Sequence, residues 1–236
     1  MKNIVAIIPA RGGSKGILRK NIREIAGKPL LEYTAKSAIE SKSFSRIILS
    51  TEDNEIKELG LKLGLEVPFD RPDSLATDYA PGIEVIKHAI KTLEKREKYR
   101  AEIIVVLQPT SPLRTSKHIR DAIKLFENHD VDSLVSVAKV EHNVNPYSVM
   151  KLNKDGTVSP FLDYDEKKNL RQLKPKFYAR NGAAIYICTY NCLMKKNSIF
   201  GDSTLPFFMK KNDSFDLDDE TDWMIVEMLL SRRKLV

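Results

Sequence analysis

Cysteine, histidine and long apolar runs are all scarce in this chain, and each scarcity removes a class of protein. Two cysteines, Cys188 and Cys192, occur in 236 residues. That is too few for a disulfide framework, and no second pair or suitably spaced histidines complete a zinc site, so they read as reduced structural thiols. The four histidines, His88, His118, His129 and His142, fall in different predicted elements and form no His-centred site. No apolar stretch approaches the roughly 20 residues of a membrane span, and the N-terminus opens as a strand rather than a signal peptide. The expectation is a cytoplasmic protein with no membrane partner.

Acid is also in deficit: 39 Lys and Arg stand against 32 Asp and Glu, a formal charge of +7. Such a surplus suits nucleic acid, an acidic membrane surface or small anions. Its distribution separates the three. The densest cationic cluster lies in one glycine loop, whereas Glu94-Lys95-Arg96-Glu97-Lys98 alternates in sign like a solvated helix face. No nucleic-acid motif is present, so small anions are the expected partners and nucleic acid is not.

What the chain does have is a 42% hydrophobic content, enough for a substantial core, arranged in alternating strand and helix patterns. The pattern predicts strands at 3–9, 46–51, 102–107 and 132–138, with helices near 30–42, 53–63, 81–97 and 116–128. Ile103-Ile104-Val105-Val106-Leu107 is continuously apolar, as a parallel strand covered on both faces must be. This is an α/β signature. From about 140 to 180 the rhythm breaks into a β-hairpin excursion turning at Asn153 to Gly156. The division predicted is an α/β domain of residues 1–141 and 178–236 with an inserted arm at 142–177 suited to oligomer contact. A strand at Ala183 to Cys188 and an amphipathic helix near 219–232 complete it.

Ligands of such sheets bind beyond the carboxyl ends of the strands. Pro9-Ala10-Arg11-Gly12-Gly13-Ser14-Lys15-Gly16-Ile17-Leu18-Arg19-Lys20-Asn21 leaves the first strand at such an end. Its glycines let backbone N–H groups approach an anion, and Arg11, Lys15, Arg19 and Lys20 supply countercharge for a polyphosphate. It has neither the P-loop spacing nor Gly-x-Gly-x-x-Gly. Near the other end of the chain, Asp216-Leu217-Asp218 sets two carboxylates at i, i+2, on one side of an extended segment. That suits Mg²⁺, which takes a couple of carboxylates and completes its octahedron with phosphate oxygens and water. Asp219, Glu220 and Asp222 read instead as helix N-terminal acids. Gln108, in Gln108-Pro109-Thr110-Ser111-Pro112-Leu113-Arg114, presents an amide at the ligand end of a third strand. Arg71, Arg171 and Tyr178-Ala179-Arg180-Asn181-Gly182 read locally as surface or turn.

In combination and order, these motifs resemble the acylneuraminate cytidylyltransferases, the CMP-sialic acid synthetases and their legionaminic and pseudaminic relatives. The resemblance runs from Ile4 to the final helix and is weakest over 142–170. It implies a Rossmann-like three-layer α/β/α fold of the nucleotide-diphospho-sugar transferase kind, with a mainly parallel sheet and a β-hairpin dimerisation arm. It also implies Mg²⁺-dependent transfer of CMP from CTP to a nine-carbon α-keto acid sugar, with Mn²⁺ as a substitute metal and a homodimer as the assembly. By motif, Arg11, Gly12, Gly13, Ser14, Lys15, Lys20, Asn21, Arg71, Ala80 and Gly82 are nucleotide-binding. Gln108, Arg171, Asn181 and Tyr186 meet the sugar, and Asp216 and Asp218 hold the metal. Arg171, Lys15 and Asp216 are the catalytic assignments, with no side-chain general base in evidence. The chain departs from the family's pattern at Leu18, usually proline, and at Ala80 and Gly82, where many relatives place serines. An extra alanine in the Asn181–Tyr186 segment shifts the alignment of Tyr186 against some relatives. The alternatives are a pseudaminic acid or Kdo-type cytidylyltransferase, a metal-dependent glycosyltransferase and, outside enzymes, a nucleic-acid-binding module.

Overall fold

A computed structural model describes residues 2–14, 16–162, 174–182 and 184–234. Lys15 and Arg171, two of the residues singled out by motif, lie outside these. The central sheet has the order β11 (Thr204–Phe208), β6 (Ser133–Lys139), β10 (Tyr186–Thr189), β5 (Ile103–Val106), β1 (Ile4–Pro9), β4 (Arg46–Ser50), with β9 (Tyr178–Arg180) also pairing β6. Its first strand, β1, runs parallel to β4 on one side and to β5 on the other. β6 runs parallel to β11, while β10 lies antiparallel between β5 and β6. Strands β4, β1, β5, β6 and β11 therefore point one way, and only β9 and β10 oppose them. The sheet is mixed and mostly parallel, as expected.

Alternation along the strands divides the core into two layers. Ile4, Ala6 and Ile8 of β1 face α1 (Leu30–Ser41), α2 (Asn54–Lys62) and α4 (Ser116–Glu127) through Leu31, Ala35, Ile56, Ile119 and Phe126. Val5 and Ile7 face α3 (Gly82–Glu97) and α5 (Tyr190–Met194) through Ile86, Ala89, Ile90, Cys192 and Leu193. Each fully buried aliphatic side chain contributes about 1.5–3 kcal/mol relative to exposure. Both cysteines are free and buried in the second layer, where burial pushes the Cys188 thiol upward. A third cluster joins Ile17 of the glycine loop, Leu113 and Leu217 to Trp223, Val226 and Leu230 of α6 (Glu220–Lys234), so the last helix fastens the loops that carry the chemistry.

Three sequence expectations change. The strand placed at Ala183–Cys188 begins at Tyr186, with Ala183 outside the described residues, and Tyr178–Arg180, read from sequence as turn, forms β9. β9 pairs with Val137–Lys139 and β10 with Ser133–Val135, and between them Gly182 takes φ +65°. Ile185 exchanges bonds of 2.9 Å with Ser136, its N–H going to the serine Oγ and its carbonyl receiving the serine N–H. The last helix is not amphipathic: Met224 and Met228 are exposed opposite its buried stripe. Strand β11 and a two-residue hairpin of β2 (Glu24–Ile25) and β3 (Lys28–Pro29) were not foreseen. In the excursion, β7 (Met150–Leu152) and β8 (Val158–Pro160) form the expected hairpin, closed by the Asn153 N–H to the Thr157 carbonyl at 2.8 Å. Among the described residues no helix is long and apolar enough to cross a membrane.

Candidate active site

The carboxyl ends of β1 and β5 open on a cavity of about 650 Å³. Arg11, Ser14, Lys20 and Asn21 of the glycine loop line it, with Arg71, Ala80, Gly82, Gln108, Tyr186 and Asp218. These residues are far apart in sequence, and the sheet brings them to one edge.

On the nucleotide side, Arg11 donates to Asp78 at 2.6 Å and to the Ala76 carbonyl at 3.4 Å, which draws residues 76–78 over the cavity. Asn21 is buried and donates its amide to the Arg11 carbonyl at 2.8 Å, so it shapes the loop that it also lines. Arg71 is buried and donates to the Ser50 hydroxyl and carbonyl. Burial pushes its pKa down to about 10, against the pull of Glu52, so it remains a cation at neutral pH. Ala80 and Gly82 flank Pro81 at the start of α3, offering backbone rather than side-chain hydroxyls.

Two loop glycines fall elsewhere. The Gly12 N–H donates to Glu52 Oε1 at 2.6 Å and neither Gly12 nor Gly13 lines the cavity. Arg19 is a correction to the cation count: its guanidinium is taken up by Asp53 at 2.5 Å and Glu55 at 3.1 Å. Leu18, the departure from the family's proline, is 80% exposed, and Arg19 beside it sits at φ +54°.

At the acidic end, the buried Leu217 donates its N–H to the Thr110 carbonyl at 2.9 Å, leaving Asp216 and Asp218 on the other side of the extended segment. Two glycines make room for it. A methyl on Gly182 would stand 2.5 Å from Asp216 Oδ1, and one on Gly16 would fall on the Asp218 carbonyl oxygen. Burial raises the Asp216 pKa, with Thr110 opposing through a hydrogen bond and Asp218 adding to the rise. Lys20 Nζ donates to the Leu217 carbonyl at 2.5 Å, and burial lowers its pKa although Asp218 and Asp216 oppose the shift. The three remaining acids are structural, as read from sequence. Asp219 Oδ1 receives the Thr221 and Asp222 N–H groups, Asp222 Oδ2 receives those of Asp218 and Asp219, and Glu220 pairs with Arg23.

The residues fit a divalent cation. Asp216 Oδ1 is buried without a hydrogen-bond partner among the described residues, and Asp218 stands beside it at the cavity wall. No group of three or more His, Cys, Asp or Glu occurs among the described residues. A hard cation that fills its other positions with phosphate and water requires only the pair.

Part of the cavity wall is polar and aromatic. Gln108 and Tyr186 line it, and Ile199 and Phe200 join them. The Tyr186 and Phe200 rings meet edge-on, centroids 5.4 Å apart, and Arg180 lies 5.1 Å over the Phe200 ring. Asn181 is not brought to this wall: it is buried, donating to Ser214 Oγ at 2.9 Å and facing Met209. Arg180, one residue earlier in β9, is on the wall instead. Neither Arg180 nor Phe200 has a local sign in the sequence, since Arg180 is placed by the pairing of β9 with β6 and Phe200 by a bend ahead of β11.

A cationic loop leaving a central parallel strand, two carboxylates beside it and a cavity at the carboxyl edge define a nucleotide-binding α/β transferase. Residues 5–212 match the family described as Cytidylyltransferase, and the chain belongs to that family of nucleotidyltransferases. It is 36% identical over 235 residues to post-translational flagellin modification protein B of Campylobacter coli, covering 100% of this chain and 98% of that one. It is 33% identical to the N-acylneuraminate cytidylyltransferase of Escherichia coli O18:K1:H7 over 98% of this chain, but spans only 54% of that protein. With the CMP-N,N'-diacetyllegionaminic acid synthase of Legionella pneumophila it shares 31% identity over 96% of each. The solved structure of CMP:2-keto-3-deoxy-manno-octonic acid synthetase complexed with CTP superposes with a TM-score of 0.73 at 15% identity, covering 98% and 100% of the two chains. That likeness concerns the fold.

Proposed function

We propose that the protein transfers CMP from CTP to the anomeric hydroxyl of a nine-carbon α-keto acid sugar of the N-acetylneuraminic or legionaminic type. The observation that carries this is one cavity whose wall combines Arg11, Lys20, Arg71 and Asp218 with Gln108, Tyr186, Phe200 and Arg180. The names of the relatives from E. coli and L. pneumophila support the sugar class.

In the reaction, the sugar oxygen forms a bond to the α-phosphorus while the bond from that phosphorus to the bridging oxygen of the β-phosphate breaks. Pyrophosphate leaves with the electron pair, and the hydroxyl proton passes to water. Little covalent help is needed; positioning and charge neutralisation carry the rate. Arg11 and Lys20 face the polyphosphate and offset the charge that builds on the leaving group. Backbone at Ala80 and Gly82 and the Arg71 guanidinium hold the base and ribose end. Arg180, beside Phe200 on the cavity wall, meets the sugar carboxylate, and Gln108 orients the hydroxyls. Mg²⁺ held by Asp216 and Asp218, or Mn²⁺ in its place, would supply charge for the phosphate oxygens and a lowered pKa for the attacking hydroxyl. Lys15 and Arg171 keep the catalytic assignments the resemblance gives them. The excursion is the homodimer arm: Val149, Met150, Leu152, Val158 and Phe161 are all exposed on it, a density of bare apolar side chains that a partner surface would cover.

The test is pyrophosphate release from CTP and Mg²⁺ with a panel of N-acetylneuraminic, legionaminic, pseudaminic and Kdo acids. The first or second should give the highest kcat/KM, and Asp216→Ala should abolish turnover with the fold intact. A pseudaminic or Kdo preference overturns the sugar assignment, and no release with any acid overturns the activity.

A further inference from the structure

Both flanks of the glycine loop are tied to one acidic turn that contributes nothing to the cavity wall. β4 ends at Ser50, and Thr51, Glu52 and Asp53 lead into α2. Glu52 accepts the Gly12 N–H at 2.6 Å, at the start of the loop. Seven residues later, the Asp53 carboxylate takes both terminal nitrogens of Arg19, at 2.5 and 3.2 Å. The same carboxylate packs against the start of the loop, since a methyl on Gly12 would stand 3.0 Å from Asp53 Cγ and closer still to Oδ2. It also caps α2 by accepting the Ile56 N–H at 3.0 Å, so it is anchored to a helix rather than to mobile chain.

Electrostatics agree with the geometry. The Arg19 guanidinium holds the Asp53 carboxyl below its ordinary range, and Asp53 in turn raises Arg19. The pair is bidentate, which fixes direction as well as distance. Arg19 occupies the left-handed region at φ +54°, a conformation disfavoured for a residue with a Cβ. The Arg19 carbonyl accepts the Ile22 and Arg23 N–H groups, each at 3.1 Å, which closes the bend locally. The Arg19 side chain is held from outside by Asp53, with Glu55 at 3.1 Å as a second partner. Directly after the bend come Lys20, whose Nζ reaches the Leu217 carbonyl, and Asn21, which returns a hydrogen bond to the Arg11 carbonyl. The direction in which Arg11 and Lys20 point thus depends on the bend at Arg19.

We propose that Asp53 is a positioning residue for the nucleotide: through Arg19 and Gly12 it sets the path of the glycine loop, and so the placement of Arg11 and Lys20 toward the triphosphate. This rests on the reading of the loop as the triphosphate site. It assigns Arg19 a structural role rather than that of a phosphate ligand.

The test is steady-state kinetics of pyrophosphate release and calorimetric CTP binding for Asp53→Asn, Arg19→Lys and Lys20→Ala. Asparagine caps a helix as well as aspartate, so Asp53→Asn removes the carboxylate charge that faces Arg19, leaves the Glu55 contact and spares α2. Its KM for CTP should rise on the order of tenfold, with kcat and the KM for the sugar within about twofold and the melting temperature little changed. Arg19→Lys, with one donor in place of the fork, should fall between it and the parent. A CTP KM within twofold of the parent overturns the proposal, as does a parallel loss in kcat, both KM values and melting temperature. A fall in the CTP KM would show that Asp53 withholds Arg19 from phosphate, which also overturns it. Lys20→Ala separates the two readings. If it leaves CTP binding intact, the triphosphate assignment of the loop fails; if it weakens binding while Asp53→Asn does not, only the role of Asp53 fails.

Discussion

Replacing Gly182 by alanine tests whether the position of Asp216, rather than its mere presence, sets the rate. Two costs follow from the structure. Gly182 sits at φ +65°, where a residue with a Cβ loses about 1–2 kcal/mol. In addition, the new methyl would lie 2.5 Å from Asp216 Oδ1 and 2.6 Å from Oδ2. Ordinary contact starts near 3.4 Å, so the carboxylate must retreat by about 1 Å. The segment cannot follow as a unit, because Leu217 is buried and bonded to the Thr110 carbonyl. The carboxylate therefore turns from its place near Asp218 while its backbone stays. A misplacement of about 1 Å is worth on the order of 10²-fold in rate. Gly182→Ala should lower kcat by about that factor in a coupled pyrophosphate assay, with a Tm fall of roughly 2–8 °C for a chain of this size. Gly13→Ala is the control for stability, since a methyl there meets nothing within 4 Å. It should change stability by less than about 0.5 kcal/mol. If Gly182→Ala shows the Tm fall but keeps kcat within threefold, the reasoning that links Gly182 to Asp216 is refuted.

Two further predictions concern stability. Arg114 is buried with no ion pair to an acid among the described residues, donating to the carbonyls of Gln108 at 3.2 Å and Ala184 at 2.7 Å and to Thr34 Oγ1 at 2.6 Å. Arg114→Ala should cost about 3–5 kcal/mol in urea unfolding by taking the donor from three buried acceptors, of which the Gln108 carbonyl keeps the Ser111 N–H at 3.4 Å; a loss under 1 kcal/mol would show that water replaces the guanidinium. His118 Nδ1 accepts the Thr115 N–H at 3.2 Å in the capping box of α4, and burial lowers its pKa despite Asp213 nearby. A histidine lowered in the folded state contributes stability that is full above its unfolded pKa and is lost as pH falls through the folded value. Urea midpoints should therefore drop from pH 7 to pH 5 more in the parent than in His118→Gln, which retains a capping acceptor without titrating; equal drops would exclude His118.

The elements that build the sheet's centre were legible because β1 and β5 are continuous apolar runs and the helices between them carry plain periodicity. β11 was not. Thr204-Leu205-Pro206-Phe207-Phe208 has a proline in its middle, which argues against a strand except at an edge, and its position outside β6 makes it one. The break between β9 and β10 was hidden for a related reason, since local propensity cannot show where a strand gives way to a bulge. At the site, Asp218, Arg11, Lys20, Arg71, Gln108 and Tyr186, all singled out from sequence, line one cavity, and Asp216 Oδ1 is buried without lining it. Sequence reasoning overcounted the loop's free cations because the partner of Arg19 lies 34 residues away in Asp53. Asn181 was misread in the same way, its amide being turned inward by Ser214, 33 residues on.

The arm leaves and re-enters the sheet at adjacent positions. Lys139 of β6 faces Tyr178 of β9, and the Val140 N–H donates to the Phe177 carbonyl at 2.9 Å across the neck. The ladder would thus read continuously if residues 141–176 were exchanged for a two-residue Asn-Gly turn. Changing the excursion's length would also cost little, since doubling a loop adds only about 0.6 kcal/mol of closure entropy. The tip of the excursion can therefore be exchanged without disturbing the described cavity wall, whose residues all lie outside 141–176. A deletion that runs through Arg171 removes a catalytic assignment together with the arm, so association and chemistry separate only in variants that retain that arginine.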